Sequence, residues 1–382
     1  MENQIDLDAA ERVFAESTDG TIGLEEEFGI TSLDTLDLAP RFEELRAAAS
    51  SDSVLSDAIA GELINSEIEI RSGRGVNLAD ALKRQQDLRS RLFALARVQG
   101  VGLSATGAHP WADYRHQQII DTDHYRRVED GLRWVASRNN TFSLHVHVGV
   151  QGADRAVRVC DRLRAVLPSL LAISASSPFV DGVDSGLHSV RTQLFTRSFP
   201  RCGIPDAFGS WEAYREYVAQ LINWGSIVEY TQVWWSIRPH FSFGTVEVRI
   251  CDAQPTAEQS DALASLIAAC VLQATRDEDE QRPNLEVSGR LLEENLWRAI
   301  RYGLDGKLID FDLSTEFSSA AVLDRLLEWT RPVRDELGID PKFPAENSSQ
   351  RQRRLIGEGR TMREVFSQTC SETASSYSGK YD

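Results

Sequence analysis

The sequence predicts an α+β fold: a mainly antiparallel sheet with one polar face carrying a site and helices packed on the other. Three observations lead there. Strand-like and helical segments follow one another irregularly along the 382 residues. The strand-like segments alternate polar with apolar side chains at period two. No internal repeat or long flexible linker divides the chain, so it reads as one domain over 1–382. That domain has a core over about 20–310, a helical C-terminal region over about 315–370 and a small, polar, frayed tail over 371–382.

In order, TIGLEEEFGI (21–30) is the first strand, followed by a helical pattern over roughly 41–50. ELINSEIEIRS (62–72) is a strand, then comes a helix over 77–99 with Asn77 as its N-cap and Gly100 as its stop. GLSATGAHP (102–110) and FSLHVHVGV (142–150) read as strands, and 153–175 as a helix capped by Asp154. A helix over 210–223 precedes the strand GTVEVRICD (244–252). Helices over 256–275 and 288–302 are separated by the charged run Glu278-Asp279-Glu280 and Pro283, a solvated turn.

Lys and Arg number 41 against 58 Asp and Glu, a net charge of -17. That argues against a nucleic-acid partner, which needs a basic face. An anionic small molecule would need local arginines or metal cations, and the bulk acidity serves solubility. The five cysteines are scattered, odd in number and in no metal-binding spacing, as expected of reduced thiols in a cytoplasmic protein. MENQIDLDAAERVF carries no apolar signal region, and runs such as ALASLIAACVLQA (262–274) are too short to span a bilayer, so no membrane role is expected.

Alternate side chains of a strand share a face. Glu25 and Glu27 therefore point together, and Glu26 points away with Leu24 and Phe28. Glu67, Glu69 and Arg71 share a face, as do His145 and His147, and Thr245, Glu247 and Arg249. One such strand alone looks like any wet antiparallel strand. Four of them, rich in Glu and His and backed by apolar faces, are another matter. A face assembled from Glu25, Glu27, Glu69, His145 and Glu247 carries too much charge to fold dry, and hard divalent cations answer that. Zinc is second choice, because His-x-His lacks a third His or Cys nearby. Arg191, Arg238, Arg249, Arg298 and Arg301 are candidates to bind carboxylate or phosphate oxygens in pairs. Neither a Walker-type glycine loop nor GxSxG is present.

GLEEEF (23–28), EIEIRSG (67–73), ATGAHP (105–110), HVHVGV (145–150), LLAISASSPFVDGVDSG (170–186), SVRTQLF (189–195), WWSIRPH (234–240), GTVEVRICD and ENLWRAIRYGLDG (294–306) resemble, in order, the carboxylate–amine ligases of the type 2 glutamate–cysteine ligase family. The resemblance covers roughly 20–310. It implies a glutamine-synthetase-like catalytic fold and ATP-dependent joining of a carboxylate, typically the γ-carboxylate of glutamate, to the amine of cysteine or another amine through an acyl phosphate. It implies Mg²⁺, or Mn²⁺ in its place, on Glu25, Glu27, Glu69, His145 and Glu247. Glu62, Glu67 and His147 stand in reserve. Arg249, Arg191 and Glu247 take the catalytic roles, with Arg249, Arg238 and Arg298 toward ATP. Small-molecule partners follow from it, and a homo-oligomer is compatible with it. Two departures bear on donor and acceptor identity: Trp235-Ser236 stands where the family often reads Trp-Asp, and His188 or Val190 where it often has an aromatic. A metal-dependent hydrolase using the same strands is the alternative reading. A non-catalytic relative ranks last, since none of Glu25, Glu27, Glu247 or Arg249 is missing.

Overall fold

A seven-stranded antiparallel sheet organises the computed structural model, which describes residues 6–379. The strands in chain order are β1 (Ile22–Ser32), β2 (Ile59–Ala60), β3 (Glu67–Arg71), β4 (Val101–Ser104), β5 (Ser143–Gly149), β6 (Phe179–Val180), β7 (Val183–Asp184), β8 (Ile237–His240), β9 (Thr245–Asp252), β10 (Lys307–Asp310) and β11 (Thr315–Ser318). The sheet runs β2-β3-β1-β5-β9-β8, with β4 also on β1; β6–β7 and β10–β11 are separate two-stranded pairs.

β1 is the axis. It pairs with β3 along Glu25–Gly29, with β5 along Ile22–Glu26 and with β4 along Gly29–Ser32. Its alternation sends Leu24 and Phe28 to the back face, where Ile68, Ile70, Leu144, Val146, Val148, Val246 and Val248 are also buried. The helix Leu78–Val98 packs there through Leu88, Leu92 and Phe93. The helix Ala257–Asp279 is apolar and buried nearly all round, which explains the apolar run at 262–274.

Glu26 lies on that back face and is 3% exposed. Arg89 donates to both of its carboxylate oxygens at 2.7 Å, Gln85 donates at 2.8 Å, and the Ser260 hydroxyl donates as well. Arg89 also stands 2.7 Å from Asp261. A buried charge persists only when paired in this way.

Several boundaries differ from the sequence reading. The 153–175 pattern is two helices, Ala153–Leu163 and Leu167–Ser174, the second opening with Pro168, which suits a first helical turn. Gly152, not Asp154, is the N-cap of the first. Asp154 instead accepts from the Trp211 amide at 2.9 Å. Glu278 and Asp279 belong to the last turn of a helix, and the charged turn begins after them. The tail expected to fray from 371 is helical as far as Tyr377, the end of the helix Met362–Tyr377, because Tyr377 is buried against Phe28 and Phe93 and donates to the Gln254 carbonyl. Residues 380–382 lie outside the described residues. β8 escaped notice because it contains Pro239, which an edge strand tolerates.

β9 carries a bulge. Leu144 of β5 pairs with Cys251 and Val146 with Val248, so Arg249 and Ile250 together oppose His145. Straight alternation would turn Cys251 toward the polar face. The extra residue instead puts Cys251 in the core and sets Asp252 opposite Ser143. In the β8–β9 turn, Gly244 takes a φ of +62, and a Cβ there would meet the Val13 carbonyl at 2.9 Å.

Arg89→Met is expected to destabilise the fold by about 3–5 kcal/mol, since it strands Glu26 without a counter-charge. Urea unfolding of the two proteins checks this, and equal midpoints would refute it.

Candidate active site

The polar face of the sheet floors a basin of about 500 Å³. Glu25 and Glu27 of β1, Glu67, Glu69 and Arg71 of β3, His145 of β5, Arg238 of β8, and Glu247 and Arg249 of β9 all line it. Glu62, from the loop before β3, joins them. Seven glutamates meet four arginines in this lining, so the basin is acidic despite its arginines.

The carboxylates and imidazoles interlock. Glu25 stands 3.2 Å from His145 Nδ1 and 3.5 Å from His147 Nε2. His147 Nε2 is also 3.7 Å from Glu247. Glu27 accepts from the Ser143 amide at 2.5 Å and its hydroxyl at 2.6 Å, and the same hydroxyl lies 2.7 Å from His145 Nε2. Three groups each bring three ligand-type atoms within 4.8 Å of one another: Glu25, Glu69 and His145; Glu25, His147 and Glu247; Glu27, Glu62 and Glu69. Sharing of Glu25 and of Glu69 between groups makes one continuous acidic patch.

The charge is unevenly offset. Burial, reinforced by the Glu27 charge, raises the Glu62 carboxyl to about 7. Burial likewise holds Glu67 and Glu69 well above the usual carboxylate range. Burial also works to raise Glu25 and Glu247, but His147 beside the first and Arg238 and Arg249 beside the second outweigh it, and both lie well below that range. Among the described residues, buried Glu67 Oε2 and His147 Nε2 have no hydrogen-bond partner. Crowded carboxyls whose ionisation burial disfavours, with an orphaned oxygen and an orphaned imidazole nitrogen, are a donor set that hard divalent cations fit, because a cation offsets the charge.

The arginines divide into two kinds. Arg238 is committed to structure and charge balance: it donates to Glu247 at 2.6 Å and to the carbonyls of Val233 at 2.6 Å and Thr231 at 3.1 Å. Arg249 also donates to Glu247, and Arg71 to Glu69. Arg191 donates to the carbonyls of Ile250 and Arg249 at 3.0 Å each, beside Asp252. Asp252 is inaccessible and also accepts from the Ser177 and Ser189 hydroxyls, so it ties the Arg191 helix (Val190–Ser198) to β9. Arg298 is a correction. It lies outside the basin on the helix Gly289–Tyr302, where it pairs with Glu294 and Glu316. Arg301, on the same helix, donates to the Gly186 carbonyl.

Sequence reasoning missed the rim. Phe195, Phe199 and Trp234 wall one end, while Tyr230, His240, Ser242 and Phe243 stand at the β8–β9 turn. His124 and Glu229 line the mouth 2.8 Å apart. Phe195 and Phe199 sit at the end of the Val190–Ser198 helix and the other aromatics in loops or turns, where no strand period marks them, so SVRTQLF and WWSIRPH held Phe195, Trp234 and His240 without marking them as rim. Of the two departures, Ser236 lines the basin, whereas His188 is buried against Gly303 and Asn347, away from it.

Solved structures share this architecture. A bifunctional glutathione synthetase from Pasteurella multocida matches 97% of this chain at TM-score 0.69 and 14% identity; the match covers 54% of that longer protein. A glutamate–cysteine ligase from Francisella tularensis, in complex with AMP, matches 96% of this chain and 90% of its own at TM-score 0.69 and 12% identity. The α+β fold with its antiparallel sheet, expected from the sequence, is thus the fold of these two proteins. The sequence model for "Glutamate-cysteine ligase family 2 (GCS2)" matches residues 21–362, and the chain belongs to that family. A Solibacter usitatus protein named "Putative glutamate--cysteine ligase 2" is 36% identical over 92% of this chain and 93% of its own. A Rubrobacter xylanophilus protein named "Putative glutamate--cysteine ligase 2-2" is 37% identical over 91% and 90%.

A carboxyl raised from 4.5 to about 7, as at Glu62, stabilises the fold fully below about 4.5 and loses that contribution as pH rises to about 7. The cation-free protein is therefore expected to lose Tm from about pH 5 to about pH 8. Mg²⁺ or Mn²⁺, which needs ionised carboxylates, should raise Tm more at about pH 8 than at about pH 6. Thermal unfolding with and without the metal measures both, and a Tm indifferent to metal at either pH would contradict the donor set.

Proposed function

We propose that the basin is the site of an ATP- and Mg²⁺-dependent ligation, with Mn²⁺ able to replace Mg²⁺, that joins the γ-carboxylate of glutamate to the amine of cysteine or another amine. The observation that supports it most is the continuous patch formed by Glu25, Glu27, Glu69, His145, His147 and Glu247, with Arg249 and Arg191 at its edge, in a chain of a ligase family. Those glutamates and His145 would hold the cations, with Glu62, Glu67 and His147 within reach. When bound, the cations supply positive charge for the triphosphate oxygens and for the transferring phosphoryl group.

A carboxylate does not react with amines unaided. Its oxygen attacks the γ-phosphorus of ATP, ADP leaves, and an acyl phosphate forms. The amine nitrogen then attacks the acyl carbon, phosphate departs with that oxygen, and the nitrogen loses a proton. Arg249 presents a fork to the acyl-phosphate oxygens while Glu247 and its second partner Arg238 fix its position. Arg191, held by two carbonyls, contributes fixed positive charge on the substrate side. Glu27, held by two Ser143 donors, keeps its oxygens aimed at the patch without a costly search of rotamers. Ser236, at one of the two departures from the expected family pattern, brings a hydroxyl rather than a carboxylate to the wall and is the residue through which the acceptor would differ from cysteine. Five unpaired cysteines are in keeping with a reducing cytoplasm.

Phosphate release from MgATP, assayed with glutamate and a panel of amines including cysteine, tests the reading. Release that requires glutamate and one amine is expected. Hydrolysis of any substrate without nucleotide would mark a metal hydrolase instead. Glu27→Gln should lower ATP turnover at least about 100-fold, with the circular dichroism spectrum unchanged. Arg249→Lys should lose about as much, since an ammonium cannot reproduce a bidentate fork. Wild-type turnover in either well-folded variant would remove that residue from the proposed machinery.

A further inference from the structure

Phe243 is 55% exposed although it belongs to the basin wall. An isolated exposed aromatic needs no explanation, but this ring is mounted. One face stacks on His240, with centroids 4.3 Å apart and planes 10° from parallel. Its edge meets the His147 ring at 5.5 Å, and the β8–β9 turn, closed by Gly244, fixes its backbone. Among the described residues no further ring stacks on it, and its exposure leaves the other face open. The aromatics at the opposite end are not free in this way: Phe195 and Phe199 stack on each other at 4.6 Å, and Trp234 meets Phe199 edge-on.

Position gives the free face a meaning. The adjoining His147 belongs to the group that also holds Glu25 and Glu247, so the platform stands one ring away from donors suited to a cation. A ligand spanning the two needs a flat aromatic ring at one end and a cation-binding anion at the other. Tyr230 Oη and Ser242 Oγ, 3.4 Å apart, add hydroxyls beside the platform that suit the polar edge of a heterocyclic base. The ring of an aromatic amine would satisfy the platform alone, with no use for the neighbouring donors.

We infer that Phe243, backed by His240, is the stacking platform for the purine of a nucleoside triphosphate whose phosphates pass His147 toward Glu25 and Glu247. This rests on the reading of the basin as an ATP site. Fluorescence titration of the whole protein with the magnesium complex of 1,N6-ethenoadenosine triphosphate tests it, beside calorimetry with magnesium tripolyphosphate, which has no base. The native protein should bind the fluorescent nucleotide with a change in emission. Phe243→Ala should weaken that binding about 5- to 140-fold, which is what base stacking of about 1–3 kcal/mol becomes at 1.4 kcal/mol per decade. Phe243→Trp should restore it, and tripolyphosphate should bind all three proteins alike. Equal nucleotide binding by the native and Phe243→Ala proteins overturns the platform and leaves the ATP reading standing. Failure of the native protein to bind either phosphate compound overturns the ATP reading and the platform with it.

Discussion

Repulsion among carboxylates crowded on one face of a sheet is the constraint to which the rest of this structure answers. Glu25, Glu27, Glu62, Glu67, Glu69 and Glu247 share a basin whose floor is backed by hydrocarbon, so they cannot escape into bulk water. Part of the charge is met by arginine, part by imidazole and part by retained protons. The remainder is the basin's capacity to attract cations. On the proposed reading, cations held by this surface would let it bind a polyanion, which the overall charge of -17 would otherwise disfavour.

Holding such a face flat requires a rigid back. The buried Glu26–Arg89 pair locks β1 to the helix Leu78–Val98, and the C-terminal helix closes over the same region through Tyr377. β1 can therefore not slip by one residue, a shift that would exchange Glu26 for Glu25 and Glu27 at the basin. The bulge in β9 serves the other edge. It keeps Glu247 and Arg249 at the basin, delivers Asp252 to the helix that carries Arg191, and so couples a distant arginine to the sheet.

Much of this was legible in the chain because a strand's period is local. Alternation alone grouped Glu25 with Glu27, Glu69 with Arg71, and Glu247 with Arg249, and the structure brings all of them, with His145, into one basin. Arg298 was misplaced because a helix presents side chains all round, and packing chooses which face meets a site; here it chose Glu294 and Glu316. The rim aromatics were invisible for a related reason: Phe195 and Phe199 sit at a helix end and the others in loops or a turn, and neither setting shows from the sequence which way a ring faces.

The sequence by itself determined the α+β class, the polar faces of the strands and the family, since each depends on residue types at short spacing. Only the tertiary structure decided which strands are neighbours, that Glu26 finds Arg89 sixty-three positions away, and that the bulge reverses the facing of Cys251 and Asp252. Strand order and the orientation of helices are settled by how apolar faces pack together, and contacts between distant residues leave no trace in local pattern.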